Sequence, residues 1–181
     1  MLLQQAESLL LLVDVQEKLT PLVNHANELV HRCEWLLRLC TERHVPIIAS
    51  EQYPKGIGRT IAPLNAYINK ANLVEKVYFS AYHEPAFVSL LKALNKKQVI
   101  IAGIETHVCV LQTAMDLHEA GVQVFVVVDA VSSRSEIDHQ FALKPMKQEG
   151  IHLVTAEMVF FEWIRCAGTP EFKVLSQSFL R

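Results

Sequence analysis

The sequence predicts a single α/β domain built on a doubly wound parallel sheet. Short runs that are apolar on both faces recur along the chain. Longer stretches with apolar residues at three-and-four spacing lie between most of them. Glycines fall where two of those stretches should end. Strands apolar on both faces belong to a parallel sheet covered by helices on each side, and its crossovers are right-handed. The 181 residues match one domain at ~150 residues per domain. A chain of this size buries roughly 70% of its unfolded surface, so it needs no disulfide or metal to fold.

Six runs read as strands: Leu9–Val13, Val45–Ala49, Leu73–Val74 leading into Lys76, Gln98–Ala102, Val122–Val128 and Ile151–Val154. After the first, Asn24–Arg43 places Ala26, Leu29, Val30, Cys33, Leu36, Leu37 and Cys40 on one helical stripe. Ser50–Asn65, holding Tyr53, Pro54, Lys55, Gly56, Gly58 and Pro63, reads as the main loop. Helices are expected over Glu84–Ala93, His107–Ala120 and Glu136–Glu149, with Gly121 and Gly150 at C-terminal positions. Pro145 should kink or shorten the last of these. Ala156–Arg181 should pack as helix and coil over the sheet. No repeat, low-complexity tract or linker divides residues 1–181.

Charge is balanced, with 17 Lys and Arg against 19 Asp and Glu and a net charge of −2. No basic face is implied, so nucleic acid and acidic membranes are not expected partners. The first residues lack a basic leader, and no apolar run approaches the ~18 residues of a membrane span. Cys33, Cys40, Cys109 and Cys166 show no paired spacing. The first two lie ~10 Å apart along a helix, too far for a disulfide. A reduced, cytoplasmic setting is the expectation, with Cys33, Cys40 and Cys166 as small buried hydrophobes.

Ligands of open α/β sheets bind at the carboxyl ends of strands, where strand order reverses. Asp14 follows the first run; Ser50, Glu51, Gln52 and Tyr53 follow the second. Lys76, Tyr78, Phe79 and Ser80 follow the third, and Gly103–Cys109 the fourth. With Thr106 as N-cap, Cys109 falls in the first turn of a helix, where free N–H groups favour a thiolate. In the order 3-2-1-4-5-6, Asp14 and Cys109 flank the switch point, and Lys76 must reach across one strand.

The segments LLLVDVQEK, IASEQYPKGIGRT, VEKVYFSAY, IAGIETHVCVLQTAMDL and VVVDAVSSRS carry a resemblance. Through them the chain resembles the isochorismatase-like cysteine hydrolase superfamily over roughly Leu9 to Trp163, and most of all its small, metal-free branch. The resemblance implies a three-layer fold with a six-stranded parallel sheet in the order given above. It implies a Cys109–Asp14–Lys76 triad, in which the cysteine attacks a carbonyl, the aspartate shuttles the proton and the lysine steadies both. It also implies a cis peptide between Ile104 and Glu105, with the N–H groups of Glu105 and Cys109 forming an oxyanion hole.

Departures from the family narrow the chemistry. Metal-dependent members carry Asp-x-His after the second strand, where this chain reads Ser50-Glu51-Gln52-Tyr53, so no metal or other cofactor is expected. Keeping the cysteine favours amide or related C–N hydrolysis of a small molecule over vinyl-ether hydrolysis, which needs a general acid and no nucleophile. A non-catalytic member of the fold is the third reading. Glu51, Gln52, Tyr53, Phe79 and Tyr82 are the candidate substrate pocket, with Glu105 beside them. A dinucleotide site is disfavoured, because Gly56-Ile-Gly58 lies in a loop and does not open a helix after a strand. Val159, Phe160, Phe161, Trp163 and Ile164 form an aromatic-rich cluster that suggests a homo-oligomer interface.

Overall fold

A computed structural model describes residues 1–180. Its elements run β1 (Ser8–Val13), α1 (Ala26–Glu42), β2 (Ile47–Gln52), α2 (Pro54–Ile57), β3 (Leu73–Lys76), α3 (Pro85–Leu94) and β4 (Gln98–Ile104). A π-helical turn, Thr106–Val110, leads into α4 (Leu111–Glu119). β5 (Gln123–Ser132), α5 (Glu136–Gln148), β6 (His152–Val154), α6 (Ala156–Ile164) and α7 (Pro170–Phe179) complete the chain. All six strands are parallel, in the order β3-β2-β1-β4-β5-β6.

Alternation along the strands divides the core in two. Leu10 and Leu12 of β1, with Ile100 and Ala102 of β4, face α1, α6 and α7. Leu9, Leu11 and Val13, with Val99 and Ile101, face α3, α4 and α5. β1 is buried along its whole length, and each leucine there contributes ~1.5–3 kcal/mol by leaving water.

Several boundaries depart from the sequence reading. β2 runs on through Ser50, Glu51 and Gln52, and β5 through Asp129 to Ser132. These polar residues are bonded in place, so the ladder does not stop at them. α5 continues past Pro145 to Gln148. Ser50–Asn65 is not one loop: it holds the end of β2, α2 and part of a 3₁₀ segment, Ala62–Tyr67. The α6 cluster is largely spoken for. Val159, Phe160 and Trp163 are buried, and Phe160 packs on the rings of Trp35 and Phe179. Only Phe161 of the five is well exposed, which removes this cluster as the ground for an interface.

Candidate active site

β1 and β4 are neighbours whose helices leave on opposite faces, so their carboxyl ends open the switch point. Gly103 lets them approach closely. Its φ is +120°, and a Cβ there would meet the Val13 carbonyl oxygen at 2.0 Å. Just past Val13 the chain turns through Asp14 in the left-handed region, φ 49°.

The Asp14 carboxylate is fully buried. Oδ1 accepts from the Ser50 hydroxyl at 2.7 Å, and Oδ2 faces the Lys76 ammonium at 2.8 Å. Lys76 thus reaches across β2 from the edge strand, with both side chains of the pair shut off from solvent. Its Nζ also donates to Gln52 Oε1 at 2.6 Å, Phe79 O at 2.9 Å and Tyr78 O at 3.2 Å. With Asp14 Oδ2, four oxygens stand about an ammonium that has three N–H groups.

Cys109 sits in the π-turn after β4, its sulfur 3.9 Å from Gln52 Oε1. Burial and the Asp14 charge push the thiol up to about 12, while Lys76 pulls it down. The resting group is therefore a thiol, not the thiolate expected from a helix start. Thr106 does not cap the turn; its hydroxyl hydrogen-bonds His139 Nδ1 at 3.0 Å. His107 Nδ1 bonds Ser133 Oγ at 2.9 Å. Glu105 is clamped by Arg134, through Nη2 at 2.5 Å, Nε at 3.1 Å and the backbone N–H at 2.9 Å. Burial pushes the Glu105 carboxyl up, but the Arg134 bonds and charge hold it below its ordinary value. The Ile104–Glu105 peptide is cis.

The candidate pocket residues separate into two kinds. Glu51 is buried, with Oε1 accepting from the Thr60 N–H and hydroxyl at 2.7 and 2.8 Å and Oε2 from Arg59 at 2.9 Å. Gln52 is buried against Lys76. Tyr53 and Phe79 are half exposed, and Tyr82 is partly buried against the α3–α4–α5 side of the core. A cavity of about 300 Å³ opens beside Lys76, lined by Tyr53, Pro54, Lys55, Glu75, Val77 and Glu84. It touches the lysine and not the sulfur. Gln16, which the sequence reading passed over, anchors the end of β2. Its Oε1 accepts from the Gln52 N–H at 2.7 Å, and its Nε2 donates to Gln52 O and Gly58 O at 3.0 and 2.7 Å. A polar side chain three residues past an apolar strand was the available signal.

The Isochorismatase domain model matches residues 8–158. The chain belongs to the isochorismatase family. Isochorismatase domain-containing protein 2 of Danio rerio is 40% identical over 170 residues, covering 94% of this chain and 85% of that protein. Among solved structures, the MAR1 ribonuclease from Caenorhabditis elegans is 36% identical with a TM-score of 0.92, covering 100% of this chain and 93% of that one. The Escherichia coli YcaC gene product, described as an octameric hydrolase of unknown specificity, is 29% identical with a TM-score of 0.88, covering 98% and 96%. YcaC from Pseudomonas aeruginosa, solved with hexane-2,5-diol and covalent acrylamide, is 26% identical with a TM-score of 0.88, covering 99% and 98%. Among the described residues, no three His, Cys, Asp or Glu side chains gather as a metal cluster. No helix among them is long and apolar enough to cross a membrane.

Proposed function

We propose that this isochorismatase-family protein is a cysteine-dependent hydrolase of small, uncharged amides or related C–N substrates. The observation that carries the reading is the buried Asp14–Lys76 pair set beside the Cys109 thiol. A thiol pushed up to about 12 must lose its proton as it attacks, so it needs a base in place. Asp14 takes that proton while the sulfur bonds to the carbonyl carbon. The N–H groups of Glu105 and Cys109 receive the developing oxyanion. Collapse breaks the C–N bond, and Asp14 passes its proton to the departing nitrogen. Water then attacks the thioester, Asp14 accepts its proton, and the thiol is restored as the acid leaves. Lys76 keeps Asp14 ionised between steps.

The charges about the site are internally paired: Asp14 with Lys76, Glu51 with Arg59, Glu105 with Arg134. This supports a neutral substrate over a polyanion. It also weighs against RNA, whose binding draws on several free cations at once, although a ribonuclease shares the fold. The chemistry needs no metal or other cofactor. Covalent acrylamide in a YcaC structure supports a nucleophile in a relative, since acrylamide alkylates thiols. A homo-oligomer belongs to the same proposal. The octameric YcaC supports it, and Tyr53, Val77, Tyr78 and Phe79 expose apolar surface at this end of the sheet.

A screen of small amides and ureas, run with excess chelator, tests the reading. Turnover by the native chain and none by Cys109→Ala is expected. Equal turnover by Cys109→Ala, or loss of activity on chelation, overturns it.

A further inference from the structure

Gln52 stands at the end of β2, between the lysine and the sulfur. Gln16 grips its backbone from both sides, so its side chain starts from a fixed point. Nε2 donates to Val77 O at 2.8 Å. Oε1 takes the shortest contact of the Lys76 ammonium, 2.6 Å, and lies 3.9 Å from Cys109 Sγ. The ammonium has three N–H groups and faces four oxygens: Gln52 Oε1, Tyr78 O, Phe79 O and Asp14 Oδ2. Each N–H that a neutral oxygen holds is one fewer for the carboxylate or the sulfur.

We infer that Gln52 is a positioning residue: its Oε1 holds one Lys76 N–H, which keeps that N–H from the sulfur and from a second bond to Asp14, so that the carboxylate stays basic enough to take the thiol proton. The inference rests on Cys109 as nucleophile and Asp14 as base. Without Oε1, the freed N–H turns to the nearest anion, either Asp14 or a forming thiolate. The thiolate then forms more easily, and Asp14 becomes a poorer base. The side chain therefore trades sulfur reactivity for a usable proton relay, and its removal makes the sulfur more reactive while turnover falls.

The charged and titratable surroundings of the thiol are few. Asp14 comes from the end of β1 and Lys76 from β3. The turn itself carries Glu105, bound to Arg134, and His107, bound to Ser133. α5 presents His139, bonded to Thr106, and α4 carries Asp116 against His83. Only Asp14 and Lys76 act on the thiol directly.

Acrylamide alkylation of Cys109, followed by intact mass in a Cys166→Ser background across about pH 6–9, tests this without any substrate. Gln52→Met removes the acceptor and should raise the rate about tenfold at each pH, one unit of thiol pKa. Gln52→Glu keeps the length and the acceptor but adds an anion, and should lower the rate about tenfold. A side chain that merely fills space would shift both variants in one direction, by admitting or excluding reagent. That result, or no change in either, overturns the inference. With an amide substrate in hand, Gln52→Met should lower kcat with KM little changed; a rise in KM alone would make Gln52 a substrate contact and overturn it. If the alkylation shifts have opposite signs but no amide is ever turned over, the amide reading fails and Gln52 keeps its place. If Cys109-dependent turnover stands and the shifts share a sign, Gln52 alone is rejected.

Discussion

Lys76→Met should cost this protein both catalysis and a measurable part of its stability. Methionine fills the stem's volume but leaves Asp14 as an uncompensated charge with only the Ser50 hydroxyl to hold it. Gln52 Oε1, Tyr78 O and Phe79 O lose their donor as well. Breaking a fully buried pair from one side costs about 3–5 kcal/mol. At roughly 2–4 °C per kcal/mol for a chain of this size, Tm should fall by about 6–20 °C. Adding Asp14→Asn removes the stranded charge and should recover part of the loss at neutral pH. Calorimetric scans of the native chain, the single variant and the double variant at neutral pH check both points. A single variant that melts within about 2 °C of the native chain at neutral pH, well under the fall given above, would refute the reasoning, as would a double variant less stable than the single.

Gly103→Ala should fail to fold, or lose on the order of 3 kcal/mol or more, because its Cβ meets the Val13 backbone at 2.0 Å; soluble yield and denaturant midpoint read this. Brief iodoacetamide exposure should modify the exposed Cys166 first and Cys109 more slowly, leaving Cys33 and Cys40 untouched in the core, as peptide mapping will show. Burial also raises both core thiols, Cys33 to about 12. Glu105, held low by Arg134, contributes stability above the ordinary carboxylate pKa and gives it up as pH falls through its own lowered value; Arg134→Ala should flatten that acid-side loss in urea titrations from neutral to acid pH. Light scattering should return a multiple of the 20.5 kDa chain mass, and the monomer mass at micromolar concentration would defeat the oligomer proposal.

How far the sequence speaks depends on whether polarity and burial agree. Leu9–Val13 and the α1 stripe announce themselves because every residue obeys the period of its element. Ser50, Glu51 and Gln52 do not, since a polar run after an apolar one reads as a strand's end. They are buried because each has a specific partner: Asp14, Thr60 with Arg59, and Lys76 with Val77. Those partners lie 8 to 36 residues away along the chain, beyond the reach of local pattern. The same holds for Thr106, whose hydroxyl finds His139 33 residues on instead of the N–H groups of its own turn. Asp14, Lys76 and Cys109 were legible at strand ends because topology fixes where a switch point lies. How strongly burial raises the Cys109 thiol was not legible, because it depends on depth in the fold. Cys166 ran the other way: among apolar neighbours it reads as core, yet it follows α6 where the chain turns outward to solvent.

Drawing Asp14, Lys76 and Cys109 from strands that are not consecutive also bears on how the chain folds. The lysine meets the aspartate only after β3 has paired with β2 and β2 with β1, and the cysteine arrives only when β4 closes on the far side of β1. Each closure spans tens of residues, so loop entropy is spent before the contact returns anything. No helix hairpin or local fragment can bring these three side chains together early. Two ionised groups are also poor company for a half-formed sheet, since their desolvation is repaid only once both are enclosed together. A nascent or misfolded chain therefore carries Cys109 as an ordinary cysteine, and its enclosure beside Asp14 and Lys76 waits until β3, β2, β1 and β4 have paired.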